Sequence, residues 1–223
     1  MTGKLFLQAL SKFLLGAALL ALLLLLPAGT LAYWNAWLLM GILLIPMFLA
    51  GIVMLIKNPE LLRKRLDAKE EQKEQNQVIK LSGLMFVTGF VAAGLNFRFQ
   101  WLLLPAWVSW AAAAVFLLSY LLYAEVLREN TYLSRTVEIQ QDQKVIDTGL
   151  YGVVRHPMYS VTLFLFLSMP LVLGSLPSFF VFLAYPVLLV KRIKNEEKVL
   201  EEGLDGYADY KKRVRYRLIP FVW

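Results

Sequence analysis

Residues 149–173 read GLYGVVRHPMYSVTLFLFLSMPLVL. Tyr151, Arg155, His156 and Tyr159 stand directly against an apolar run, and His156 is the only histidine in the chain. A second apolar run follows after GSLPS (174–178), a connection too short for anything but a tight hairpin. Pro170, Pro177 and Pro186 fall inside this hairpin and are expected to kink or break its helices. Both ends of the hairpin then return to one face, with RHPMY (155–159) at one end and RIKNEE (192–197) at the other.

Working outward, apolar runs at 12–27, 33–56, 80–97, 102–124, 158–173 and 177–192 give five to six candidate spans. Several approach the roughly 20 residues that a helix needs to cross a bilayer. With 59% hydrophobic and 17% charged residues among 223, the chain reads as an all-α integral membrane protein whose charges collect between spans. The first run follows Lys4 and Lys12 as a signal peptide would, but we expect a retained helix, because TLAYWNAW (30–37) leads by a short turn into the next span. Tyr33, Trp34 and Trp37 are its interfacial anchors.

If the spans alternate, one side receives Lys4, Lys12, the segments 57–80 and 128–155 and the tail from Lys191, while the other receives only Arg98. The positive-inside rule then places both termini and the polar segments in the cytoplasm. The same rule accounts for the net charge of +7 without a nucleic-acid partner. Absence of cysteine excludes disulfides, thiolate metal sites and a cysteine nucleophile, and a single histidine excludes a polyhistidine metal centre.

Two regions are expected: the N-terminal spans, 1–124, and a C-terminal region, 125–223, that carries the chemistry. The segment 57–80 mixes both charge signs with helix formers and reads as a solvated or interfacial helix. Within 125–157, TVEIQ (136–140) and KVI (144–146) read as short extended pieces before a glycine turn. Pro157 suits the first position of a helix, making His156 its cap and leaving backbone N–H groups near Met158 and Tyr159 that would welcome an anion beside Arg155. Arg192 and Glu196 share one face of the emerging helix, and Glu197 lies about 100° further round. The hairpin brings these groups together, and a zwitterionic cofactor beside a lipid-soluble substrate would fit them.

The stretches GLYGVVRHPMY (149–159), RIKNEEKVL (192–200) and YADYKKRVRYRLIPFVW (207–223) resemble those of the isoprenylcysteine carboxyl methyltransferase family, and more distantly the phospholipid N-methyltransferases. The resemblance covers roughly the last 80 residues. It implies a membrane-embedded methyltransferase that uses S-adenosylmethionine, enclosed by the C-terminal hairpin and tail. The implied cofactor contacts are Gln143, Lys144, Val145, Ile146, Tyr151, Arg155, His156, Pro157, Met158, Tyr159, Glu196 and Glu197, with Arg192 facing the substrate and Arg192 and Glu196 in the catalytic roles. The implied acceptor is a lipophilic or prenylated carboxylate arriving from the bilayer. Val161 and Leu150 stand where the family usually has Gly and Pro, which bears on the shape of the substrate site. Sterol and steroid reductases, which use NADPH, share part of the C-terminal pattern and are the alternative enzyme class. A transporter would place ionisable groups at mid-membrane, whereas here the charge lies outside the spans.

Overall fold

A computed structural model describes residues 2–66, 73–130, 132–133, 139 and 141–223. Its helices are α1 (Thr2–Ala28), α2 (Trp34–Lys57), α3 (Pro59–Leu66), α4 (Lys73–Phe99), α5 (Ala106–Glu129), α6 (Pro157–Val172), α7 (Leu176–Phe182), α8 (Ala184–Gly203) and α9 (Tyr207–Arg213). The chain is a multi-pass integral membrane protein of helical class, and among the described residues five stretches are long and apolar enough to cross a bilayer. These lie in α1, α2, α4, α5 and the combined stretch Leu176–Gly203.

Two expectations change. The run 158–173 forms α6, a helix of 16 residues that is shorter than a straight crossing requires. The run 177–192 is divided between α7 and α8, which meet at Leu183. Pro186 lacks an N–H for the carbonyl of Phe182 four residues earlier and its ring crowds that carbonyl, which is where α7 ends. Segment 57–80 does contain a helix, α3, but its last residues already belong to α4. TVEIQ lies outside the described residues apart from Ile139, and 143–147 has no regular secondary structure.

A helix that ends within protein surrounded by lipid leaves carbonyls that water cannot satisfy. At the end of α6 they are met by side chains from three other segments. Tyr33 donates to the Leu173 carbonyl at 2.7 Å, Asn35 Nδ2 to that of Val172 at 2.9 Å, and Ser109 Oγ to that of Leu171 at 3.3 Å. Asn35 Nδ2 also donates to Ser109 Oγ at 2.9 Å. Backbone bonds from Leu104 to Gly174 and from Leu176 to Leu102 bind the α4–α5 connection to the α6–α7 turn. Gly94 lets α4 approach α1, since a Cβ there would lie 2.6 Å from the Leu24 carbonyl oxygen.

The opposite end gathers the polar segments. Lys12 Nζ donates to the Leu66 carbonyl at 2.7 Å, and Gln75 Nε2 to that of Arg192 at 3.3 Å. Arg98 lies at the far end, beside Gly29. The bundle therefore has one end closed by neutral hydrogen bonds and one end rich in charge.

Replacing Asn35 by Leu should destabilise the protein by about 1–3 kcal/mol, because buried acceptors lose their donor. Thermal unfolding in detergent checks this, with Leu15→Ala, at an exposed position, as the control that should change little.

Candidate functional site

The charged end is organised around a buried carboxylate. Glu197 leaves α8 with its side chain only 4% exposed, and two arginines and a histidine converge on it. Arg155 Nε donates to Oε1 at 2.8 Å, His156 Nε2 stands 3.3 Å from Oε1, and Arg217 Nε donates to Oε2 at 2.9 Å. A carboxylate only accepts, so this contact requires the imidazole to carry its proton on Nε2. Arg155 Nη1 is also committed, donating to the carbonyls of Val214 at 2.7 Å and Arg215 at 2.8 Å. Backbone bonds from Arg155 to Tyr216 and from His156 to Arg217, with Ser160 Oγ donating to Leu218, clamp the tail along the start of α6. Arg217 in turn stacks over the Trp223 ring at 5.0 Å.

Beside this knot lies a cleft of roughly 860 Å³, its open mouth included. Its lining includes Gln143 to Ile146, Tyr151, Arg155 and His156, with Met158 and Tyr159 from α6 and Arg192 and Glu196 from α8. Val199, Leu200, Leu204, Tyr207 and Tyr210 close it toward the tail. Arg192 Nε donates to the Tyr159 hydroxyl oxygen at 2.8 Å, and that hydroxyl donates to Glu196 Oε2 in a short hydrogen bond. The Arg192 guanidinium also lies over the Tyr159 ring.

Local structure explains the placement of Tyr151. Gly149 has φ +50°, and Glu129 at the end of α5 accepts from Thr148 Oγ1 at 2.9 Å and from the Leu150 N–H. This holds the turn Gly149–Gly152 against α5 and aims Tyr151 inward, where Asn130 donates to its hydroxyl at 2.9 Å and Tyr210 to its carbonyl at 2.8 Å. Burial pushes the phenols of Tyr151, Tyr207 and Tyr210 well above their ordinary range, so all three remain hydrogen-bond donors at neutral pH.

Most residues singled out in the sequence thus meet in one cleft: Gln143, Lys144, Val145, Ile146, Tyr151, Arg155, His156, Met158, Tyr159, Arg192 and Glu196. Pro157 and Glu197 do not line it. Pro157 sits at the first turn of α6, with His156 as the cap residue. Arg155, expected to receive an anion, instead spends Nε and Nη1 on Glu197 and the tail. The sequence reading missed Tyr207. Its residue is 4% exposed, its hydroxyl is buried without a hydrogen-bond partner, and it lines the cleft. The only prior signal was its place in the quoted YADY segment.

Residues 110–202 match the isoprenylcysteine carboxyl methyltransferase (ICMT) family. The match takes in less than half of the chain and marks a likeness to that family over this stretch. It includes α6 to most of α8, and so the cleft wall from Tyr151 to Leu200, while the tail residues Leu204, Tyr207 and Tyr210 lie beyond it. Among curated proteins the chain is similar to the Delta(14)-sterol reductase TM7SF2 of Mus musculus, 34% identical over 91 residues. The match takes in 40% of this chain and only 22%, about a fifth, of that relative's length. Among solved structures it is similar to the eukaryotic intramembrane Ras methyltransferase ICMT, with a TM-score of 0.54 and 20% identity over 92% of this chain and 75% of that one. At that identity the likeness speaks for the fold.

The two adjacent glutamates should separate by experiment. Glu197→Gln should cost about 3–5 kcal/mol, because it leaves buried guanidinium groups without their charge partner. Glu196→Gln, which only weakens one hydrogen bond to Tyr159, should cost about 1 kcal/mol. Thermal unfolding of the two variants side by side checks the contrast.

Proposed function

We propose that this protein is a membrane methyltransferase that binds S-adenosylmethionine in the cleft and methylates the carboxylate of a lipophilic, isoprenylcysteine-like acceptor. The observation that carries the reading is that the region matching the ICMT family lines most of one cleft, including Arg192 and Glu196. The donor set suits such a cofactor. Glu196 is a carboxylate for a cationic amine or an adenine amino group, Tyr151 offers a ring, and Gln143 to Ile146 offer an irregular backbone edge. The unpartnered Tyr207 hydroxyl is a buried donor awaiting an acceptor.

Bound S-adenosylmethionine would supply a methyl group already activated on a sulfonium centre. The protein's part is then alignment and exclusion of water. Arg192, fixed through Nε to Tyr159, would orient the acceptor carboxylate, which is ionised at neutral pH and needs no general base. Tyr159 couples that arginine to Glu196, so the acceptor and cofactor groups share one support. Arg155, His156 and Glu197 act from behind, holding the start of α6 and the tail in place. The positive-inside rule supports placing the cleft on the cytoplasmic side.

The likeness to a sterol reductase favours a second reading, with NADPH as the cofactor. Against it, the cleft sets the Glu196 carboxylate among its cations, which suits a zwitterion better than a dinucleotide bearing several phosphates.

Isothermal titration of the protein in nanodiscs should give saturable binding of S-adenosylmethionine and none of NADPH; the reverse would establish the reductase reading. Glu196→Ala and His156→Ala should both lose cofactor binding. Tyr207→Phe should weaken it by roughly three- to tenfold while leaving the ligand-free protein as stable or more stable, because it removes an unsatisfied buried hydroxyl.

A further inference from the structure

A second guanidinium stands outside the cleft lining, at the end of α3. Arg65 Nη1 donates to the Tyr123 hydroxyl oxygen at 2.8 Å, and the guanidinium carbon lies 5.6 Å from the Tyr123 ring centroid. Nε and Nη2 are buried and have no hydrogen-bond partner. Among the described residues no carboxylate forms an ion pair with it. Leaving two donors of a charged group unmet inside a protein is costly, and such groups call for an explanation.

The unmet donors are neighbours on one edge of the planar fork. That Nε–Nη2 edge matches the two oxygens of a carboxylate or a phosphate. Its position is held from both sides, by Lys12 on the last carbonyl of α3 and by Tyr123 on α5. Tyr123 packs in a cluster with Tyr151, Ile146 and Met158, three residues that line the cleft. Arg65 is close enough for its charge to act on the Tyr151 phenol, as does that of Glu196. The guanidinium therefore sits behind the cleft wall, where a chain leaving span α2 meets the end of α5.

We propose that the Nε–Nη2 edge of Arg65 receives the carboxylate of the lipophilic methyl acceptor, as a positioning residue alongside Arg192. This rests on the methyltransferase reading above. Arg65 is tied to Tyr123, which packs with the cleft residues Tyr151, Ile146 and Met158, and this favours a carboxylate brought to the cleft over the phosphate of a bulk phospholipid, which shares the same recognition chemistry. Arg65 sets selectivity for an acid over its neutral ester, so the methylated product is released because it no longer fits the edge.

The test is equilibrium binding of N-acetyl-S-farnesylcysteine and of its methyl ester to the full-length protein in nanodiscs, together with titration of S-adenosylmethionine on the same samples. Wild type should prefer the acid by about tenfold or more, equivalent to about 1.4 kcal/mol. Arg65→Met should lose that preference with cofactor affinity unchanged, and Arg65→Lys, which keeps the charge but not the fork, should retain part of it. In turnover, KM for the acid should rise while kcat changes less. An acid preference undiminished in Arg65→Met, or in Arg65→Lys should the former not fold, overturns the inference. So does a wild type that binds acid and ester alike, and there the cofactor titration shows separately whether the methyltransferase reading survives. If Arg65→Met alters only the response to phosphatidylglycerol in the nanodisc, the edge holds a lipid phosphate and the acceptor assignment falls.

Discussion

Everything at the charged end of this molecule depends on one buried carboxylate. Glu197 is the single anion that draws Arg155, His156 and Arg217 together, and each of those residues belongs to a different piece of chain contact: the turn before α6, its cap, and the tail. A carboxylate this enclosed is stable only when charge and hydrogen bonds both meet it. Once they do, the register of α8 against α6 is fixed, and the tail cannot leave without uncovering a charge. The cleft is a consequence of that register, because Glu196 and Arg192 emerge on the adjacent face of the same helix.

The other end solves a different problem with different chemistry. Helix α6 stops after 16 residues, so its last carbonyls require donors within the protein. Tyr33, Asn35 and Ser109 supply them from loops and helices far away in sequence. These neutral bonds hold the hairpin turn in place without introducing charge at that end. The short hairpin is thus gripped at both ends, by hydroxyl and amide groups at one and by ions at the other, and the cleft lies between its charged end and the segment that precedes it.

How much of this could be read from the sequence follows from the range of the forces involved. Apolar runs report burial in lipid directly, so the helical membrane class and the presence of most spans were legible; the division at Leu183 needed the backbone consequence of Pro186 to be weighed against an unbroken apolar run. The cleft residues between 143 and 159 and around 192–196 were legible because short-range order in two motifs, joined by a tight turn, brings them together. Three features were not. Tyr207 looks like any tail tyrosine until its hydroxyl is found buried and unmet. Arg65 sits in a helix of mixed charge, where nothing local distinguishes it from Arg63. The commitment of Arg155 to Glu197 depends on a contact across 42 positions, which no local pattern encodes.

That last contact changes what the opening motif does. An arginine and a histidine at a helix start invite an anion, and in an isolated peptide one would come from solution. Here the anion is built in: Glu196 and Glu197 are successive residues, about 100° apart around the helix, so one turns to the knot while its neighbour turns to the cleft. Arg155 commits Nε and Nη1 to Glu197 and the tail carbonyls, so other cations would share in any attraction for an incoming carboxylate. Arg192 lines the cleft, fixed by Tyr159, and Arg65 is bonded to Tyr123 with a buried, unpartnered edge. The arginine that holds the tail and the start of α6 is thus distinct from the arginines to which ligand contact is proposed, and a ligand bound as proposed would leave the buried carboxylate with its partners.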